Sequence, residues 1–253
     1  MTALLMDIGN SRLKWGVLED HAIRRTGHIS QQKIRDQGLA ALTSKLPRRV
    51  DTVLASNVAG TSFATRVSGV VGMHCNTDLH FARTEKEACG VTNSYRQARR
   101  LGVDRWVAMI GAWAEVQAAC LIVDAGTAVT LDAIDDDGQH LGGQILPGMT
   151  LMAETLASRA SDIPNIKRRA ASQERGMEMF ASSTAGAVGH GAMNAVVGAV
   201  ERAVNVLHDE GHAATIVLTG GDASRILKLL DEEPIHRPHL VLQGLAQLLE
   251  NGQ

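Results

Sequence analysis

The chain has 253 residues, 45% of them hydrophobic, which suits one large or two small globular domains and excludes disorder over most of its length. Lys and Arg number 25 against 27 Asp and Glu, a formal net charge of −2, so the basic excess that carries non-specific nucleic-acid binding is missing and no nucleic-acid partner is expected. Cys75, Cys89 and Cys120 are far apart with no CxxC or nearby His pair, which argues against a disulfide framework or a zinc site. Asp7 interrupts any signal-like apolar run and no long uncharged apolar stretch follows, so a soluble cytoplasmic protein without membrane contact is expected.

Aromatic residues are only 3% of the chain while glycines number 25, so the core must be built from Ala, Val, Leu and Ile, with close packing and tight turns. Ala3-Leu4-Leu5-Met6-Asp7 is a short apolar run closed by an acid. Gly9-Asn10-Ser11 then supplies turn chemistry, and Leu13, Trp15 and Val17 alternate with Lys14 and Gly16. The pattern predicts strand, turn, strand. Asp51 to Ala55 reads as a further strand. Arg105 to Gln117 reads as a helix, because Trp106, Met109, Ile110 and Trp113 recur at i, i+3, i+4 and i+7, with Asp104 expected at its N-cap.

Cys120-Leu121-Ile122-Val123-Asp124 repeats the opening device: an apolar run ends in an acid, Gly126-Thr127 turns the chain, and Val129, Leu131 and Ala133 alternate with Thr130 and Asp132. The copies Asp7-Ile8-Gly9-Asn10-Ser11 and Asp124-Ala125-Gly126-Thr127-Ala128 start 117 residues apart, the size of a small domain, and predict an internal duplication. Two similar α/β lobes are expected, residues 1–115 and 116–237, with a closing strand and helix over 238–253 returning to the first.

Asp137-Gly138 signals a hairpin turn, and Leu141 to Ile145 leads into Pro147-Gly148. Thr184 to Leu207, rich in Ala, Val and Gly, predicts a long buried helix. Ala214 to Leu218 reads as a strand, Thr219-Gly220-Gly221 as a turn, Ser224 to Leu230 as a helix, and Leu240-Val241-Leu242 as a strand before a last helix to Leu249. Lys167-Arg168-Arg169 falls in the least regular region, 158 to 182, and reads as a solvated loop.

A turn of Gly, Asn, Ser and Thr after a strand exposes backbone N–H groups that suit phosphate oxygens, whereas the acid beside it would repel them unless a cation lay between. Asp7 and Asp124 therefore read together either as metal-side groups where two turns grip one nucleotide, or as turn-stabilising acids of ordinary hairpins. In Gly102-Val103-Asp104-Arg105, Asp104 could accept a proton from a substrate hydroxyl and Arg105 hold an anionic group, or the pair could be a helix cap with a surface arginine. Gly142 to Gly148 reads as shaping. No GxxxxGK[ST] loop or HExxH pair occurs, and neither GxGxxG nor GxSxG stands in its strand-turn-helix setting.

In order, Asp7 to Ser11, Gly102 to Arg105, Asp124 to Ala128, Gly142 to Gly148 and Thr219 to Gly221 resemble the motif series of the type III pantothenate kinases. The likeness extends to Thr184-Ala185-Gly186-Ala187 and to Leu240 to Leu245. That family belongs to the acetate and sugar kinase, Hsp70 and actin superfamily, whose paired ribonuclease-H-like lobes hold ATP in the cleft between them. The resemblance implies ATP-dependent phosphorylation of pantothenate, the first step of coenzyme A synthesis, by a homodimer using Mg²⁺ with ATP and a monovalent cation, K⁺ or NH₄⁺. It implies Asp104 as general base, with Gly102, Val103, Arg105, Tyr95 and Thr184 at pantothenate, Thr184 reaching across the dimer. It places Asp7, Gly9, Asn10, Ser11 and Lys14 at the ATP phosphates, Asp7 also beside Mg²⁺, Asp124 at the monovalent cation, Thr127 at a phosphate, and Gly220 and Gly221 at the adenosine. Asp132 and Asp222 receive no role.

Two further readings stand beside the kinase: a nucleotide-responsive regulator of gene expression, as family members have been described, and a kinase for another small hydroxy acid.

Overall fold

The computed structural model of the chain describes residues 1–159 and 179–252. Lys167-Arg168-Arg169 and most of the region read as a solvated loop lie outside the described residues. The chain divides into two compact units, the first comprising 1–117, 138–140 and 239–253, the second 118–137 and 141–238.

In the first unit, β1 (Thr2–Ile8), β2 (Arg12–Glu19) and β3 (Ala22–Ser30) are followed by α1 (Gln31–Gln37), α2 (Ala40–Thr43), β4 (Thr52–Asn57), α3 (Thr61–Cys75) and β5 (Leu79–Phe81). A small hairpin of β6 (Glu87–Ala88) and β7 (Val91–Thr92), then a 3₁₀ turn at Ala98–Arg100, lead to α4 (Val103–Val116). The sheet order is β3-β2-β1-β4-β5. β1 is antiparallel to β2 and parallel to β4. Leu4, Met6 and Ile8 on one face of β1 join Leu13, Trp15, Val53, Val67 and Val71 in an apolar core.

The second unit repeats the plan. It contains β8 (Cys120–Ala125), β9 (Ala128–Ile134), β10 (His140–Pro147, all but its first residue), α5 (Met149–Arg159), α6 (Thr184–Asp209), β11 (Thr215–Thr219), α7 (Ala223–Ile226) and β12 (Ile235–His236). Its order is β10-β9-β8-β11-β12, with β8 antiparallel to β9 and parallel to β11. The duplicated strand-turn-strand thus occupies the same place in two sheets of one topology. Leu121, Val123, Leu131, Ile216 and Leu218 pack with Val196, Val200 and Val204 of α6. Asp132, an acid to which the sequence gives no role, is 2% exposed.

The last helix, α8 (Leu240–Glu250), belongs to the first unit and lies against α4. The backbones approach so closely that a Cβ on Gly111 would stand 2.7 Å from the Leu240 carbonyl and 3.0 Å from the Gly244 nitrogen, and one on Gly244 would collide with the Val107 carbonyl. Leu240-Val241-Leu242, expected as a strand, is the buried first turn of this helix. A three-residue apolar run has no period to separate the two states. The expected helix from Ser224 to Leu230 is confined to Ala223–Ile226. α4 starts at Val103 with Gly102 as N-cap, so Asp104 lies inside the first turn and is not the cap.

Burial raises the thiol pKa of Cys75 and Cys89 and pushes that of Cys120 up to about 12, so none of the three free cysteines is a ready thiolate.

Candidate active site

The first acid-tipped turn is built by the β1–β2 hairpin. Asp7 stands directly opposite Lys14 in the ladder, which sets a cation beside the carboxylate. The Gly9 N–H donates to the Arg12 carbonyl at 3.0 Å and closes the turn, while Gln31 Nε2 donates to the Gly9 carbonyl at 3.0 Å and ties it to α1. Asn10 and Ser11 at the tip are exposed. Asp7, Gly9, Asn10, Ser11 and Lys14 are therefore one surface. At the end of β4, the Val58 N–H donates to the Ile8 carbonyl at 3.1 Å, so Asn57 and Val58 adjoin that turn. A cavity of about 430 Å³ is lined by Asn57 and Val58 on one side and by Gly102 and Val103 on the other, which joins the turn's flank to the start of α4.

At that start, Asp104 is half-buried and its Oδ1 accepts from the Arg105 N–H at 2.8 Å. A carboxylate in a first helical turn is favoured by the unpaired N–H groups there. Arg105 is only 7% exposed, and its Nη1 donates to the Tyr95 hydroxyl at 3.2 Å. Tyr95 in turn stacks on His140, ring centroids 6.0 Å apart and planes 13° apart, and a hydrogen bond of 3.1 Å joins Ser94 Oγ to His140 Nδ1. Gly102, Val103, Asp104, Arg105 and Tyr95 are thus brought together.

The anchor of this group escapes a reading of local pattern. Asn93, fully buried, donates from Nδ2 to the carbonyls of Glu85 and Ala98 at 3.1 and 3.3 Å and accepts the Tyr95 N–H on Oδ1 at 2.9 Å. It fixes the loop that delivers Tyr95. His140 is likewise fully buried beneath that ring. The turn chemistry of Asn93 is a weak signal in sequence, and His140 lies 45 residues from Tyr95, beyond any local period.

In the second unit, Asp124 pairs with Thr130 across β9 and stands beside Thr219 on β11. The Gly126 N–H donates to the Ala128 carbonyl at 3.0 Å, which closes the second turn with Thr127 exposed at its tip. Gly220 has φ of 103° and lies on the Ala125 backbone, where a Cβ would collide with the Ala125 carbonyl. The Asp222 N–H also donates to that carbonyl at 2.9 Å. The chain after β11 is therefore held against the Asp124 turn, bringing Gly220 and Gly221 beside it. Gly148 braces the same turn: its N–H donates to the Thr127 carbonyl at 2.9 Å, and a Cβ there would strike the carbonyls of Gly126 and Thr127. Thr184 is exposed at the head of α6, whose N-cap Ser183 accepts the Gly186 N–H at 3.0 Å.

No group of three or more His, Cys, Asp or Glu side chains with metal-binding geometry occurs among the described residues. Single carboxylates such as Asp7 and Asp124 suit a cation that draws its other ligands from nucleotide phosphates, backbone oxygens and water, the usual habit of Mg²⁺.

Two solved structures share this fold. One is a protein proposed as a Baf family transcriptional activator from Campylobacter jejuni, with TM-score 0.61 and 19% identity, over 98% of this chain and 97% of that one. The other is proposed as a 2-dehydro-3-deoxygalactonokinase from Sinorhizobium meliloti, with TM-score 0.57 and 14% identity, over 99% of this chain and 100% of that one. The molecule has the α/β fold of the actin-like kinases, two ribonuclease-H-like lobes. Residues 3–206 match the family model described as type III pantothenate kinase. The type III pantothenate kinase of Alkalilimnicola ehrlichii is 35% identical over 251 residues, 97% of this chain and 96% of its own. The chain belongs to the type III pantothenate kinase family.

Proposed function

We propose that this protein transfers the γ-phosphoryl group of ATP to the primary hydroxyl of pantothenate, giving 4′-phosphopantothenate at the start of coenzyme A synthesis. The observation that carries the reading is the start of α4, where Gly102-Val103-Asp104-Arg105 sets a carboxylate in the first turn beside a guanidinium fixed on Tyr95. Phosphoryl transfer depends on positioning and charge neutralisation more than on covalent chemistry. Asp104 orients the acceptor hydroxyl and takes its proton late in a loose transition state, so it need not be a strong base. Gly102, Val103, Arg105 and Tyr95 line the acceptor site, and Thr184 completes it from the second copy of a homodimer.

Asp7, Gly9, Asn10, Ser11 and Lys14 face the ATP phosphates, Thr127 holds a phosphate, and Gly220 and Gly221 leave the adenosine a face without side chains. Mg²⁺ bound with ATP, beside Asp7, supplies countercharge for the phosphates. Asp124 holds a monovalent cation, K⁺ or NH₄⁺. No helix among the described residues is long and apolar enough to cross a membrane, and the reading places the enzyme in the cytoplasm.

ADP release measured with and without pantothenate tests the function; turnover that ignores pantothenate, or appears only with another hydroxy acid, overturns it. A purely regulatory protein would give the first of these results. Replacing K⁺ by Na⁺ is expected to lower turnover several-fold in the wild type and to change little in Asp124→Ala, a difference that the same assay reads. Gly148→Ala, which pushes a methyl into the Gly126 and Thr127 carbonyls, is expected to raise KM for ATP several-fold while KM for pantothenate stays put. Unchanged KM for ATP would remove the second turn from phosphate binding.

A further inference from the structure

Beside Asp7 in the first sheet lies a buried hydroxyl group. Leu4, Met6, Val53 and Ala55 join the apolar core, so the alternation along β1 and β4 sends Asp7 and Ser56 to the opposite face. The parallel register sets the two side by side, on strands about 4.7–4.9 Å apart. The end of β4 is held in that place, because the Val58 N–H donates to the Ile8 carbonyl and Asn57 Oδ1 accepts the Ala59 N–H at 3.2 Å. Ser56 is 0% exposed, and its Oγ has no hydrogen-bond partner among the described residues. A buried hydroxyl left unpaired costs free energy, and a residue that merely filled this place in the strand would be alanine, which carries no such cost.

The duplication supplies the arrangement a second time. In the second unit Thr219 of β11 stands beside Asp124 of β8 in the parallel register, and Thr219 is 2% exposed. The pairs β1–β4 and β8–β11 hold the same places in their two sheets. A buried hydroxyl residue thus adjoins the acid before the turn in both halves of the chain.

We infer that Ser56 is a positioning residue for Asp7, its hydroxyl donating to the carboxylate once nucleotide engages that group. The inference rests on the reading of Asp7 as a phosphate-side acid and deepens it. Lys14 flanks the carboxylate with a cation on β2, and Ser56 adds on β4 a donor that cannot turn to water, since its Oγ is sealed from solvent. With both flanks fixed, the carboxylate has one orientation to offer. A hydrogen bond that the free protein lacks and the nucleotide-bound protein makes adds to nucleotide affinity in full, because no earlier bond is broken to form it. Its acceptor is charged, which places it among the stronger hydrogen bonds. Ser56 acts through Asp7 and does not itself touch a phosphate.

Calorimetric binding of a non-hydrolysable ATP analogue with Mg²⁺ to Ser56→Ala and Ser56→Thr, together with thermal melts, tests this. In Ser56→Ala, Kd for the analogue is expected to rise ~10-fold or more, the loss of one charge-assisted hydrogen bond. The Tm of the nucleotide-free variant should match or exceed wild type, since the hydroxyl it gives up is unpaired there. KM for pantothenate should not move. Ser56→Thr, which copies the residue beside Asp124 and keeps a hydroxyl, should bind the analogue nearly as wild type does. An unchanged Kd in Ser56→Ala, a fall in its nucleotide-free Tm, or a well-folded Ser56→Thr that binds as weakly as Ser56→Ala overturns the inference while leaving the kinase reading intact. A wild type that binds no nucleotide removes both.

Discussion

Asp104→Asn is expected to lower kcat for pantothenate phosphorylation by ~10²–10⁴-fold, the usual contribution of a positioned general base, with the fold intact. The substitution keeps the size of the side chain and the Oδ1 that accepts the Arg105 N–H, so the start of α4 is preserved. What it removes is the charge that orients the hydroxyl and receives its proton. Losing the carboxylate's charge from a first helical turn costs about 0.5 kcal/mol. Circular dichroism and a thermal melt should therefore match wild type while ADP release collapses, with KM for ATP unaltered. Wild-type turnover by a well-folded Asp104→Asn protein would leave the helix start as scaffold and send the search for the base elsewhere.

Gly244→Ala is expected to lower stability substantially. The new methyl would run into the Val107 carbonyl and stand 2.9 Å from Val107 Cγ1, and the opposing position Gly111 already faces the Leu240 carbonyl. Backbone cannot swing aside as a side-chain tip can, so α4 and α8 must separate. Overpacking of this kind costs ~1–3 kcal/mol, and the contact with main chain puts it at the upper end. At about 2–3 kcal/mol, the fall in Tm for a chain of this size is roughly 4–12 °C by calorimetry. Because α4 carries Asp104 and Arg105 at its start, kcat should fall along with Tm. An unchanged Tm would mean that the helices have slack.

Much of this was legible in the residues because it is local. Asp7 and Asp124, each closing an apolar run before a glycine turn, revealed both hairpins, and the i, i+3, i+4, i+7 spacing of Trp106, Met109, Ile110 and Trp113 revealed α4. The common strand order of the two sheets follows from the repeat that those hairpins mark. Leu240-Val241-Leu242 misled because three apolar residues fit either state, and burial against α4 decided for helix. The N-cap was misplaced by two residues because Asp104 is a good capping residue, whereas Gly102 takes the extended conformation that ends the preceding turn. His140 beneath Tyr95, Gly148 against Thr127, and Ser56 beside Asp7 depend on contacts distant in sequence, which no periodicity encodes.

The place of α8 has a consequence for biosynthesis. The first unit draws its closing helix from residues 239–253, made only after every residue of the second unit has been translated. A ribosome adds ~5–20 residues per second, so the nascent first sheet waits several seconds with the apolar flank of α4 uncapped. The second unit, by contrast, has all of its residues before α8 is made, so the start of α4 matures last.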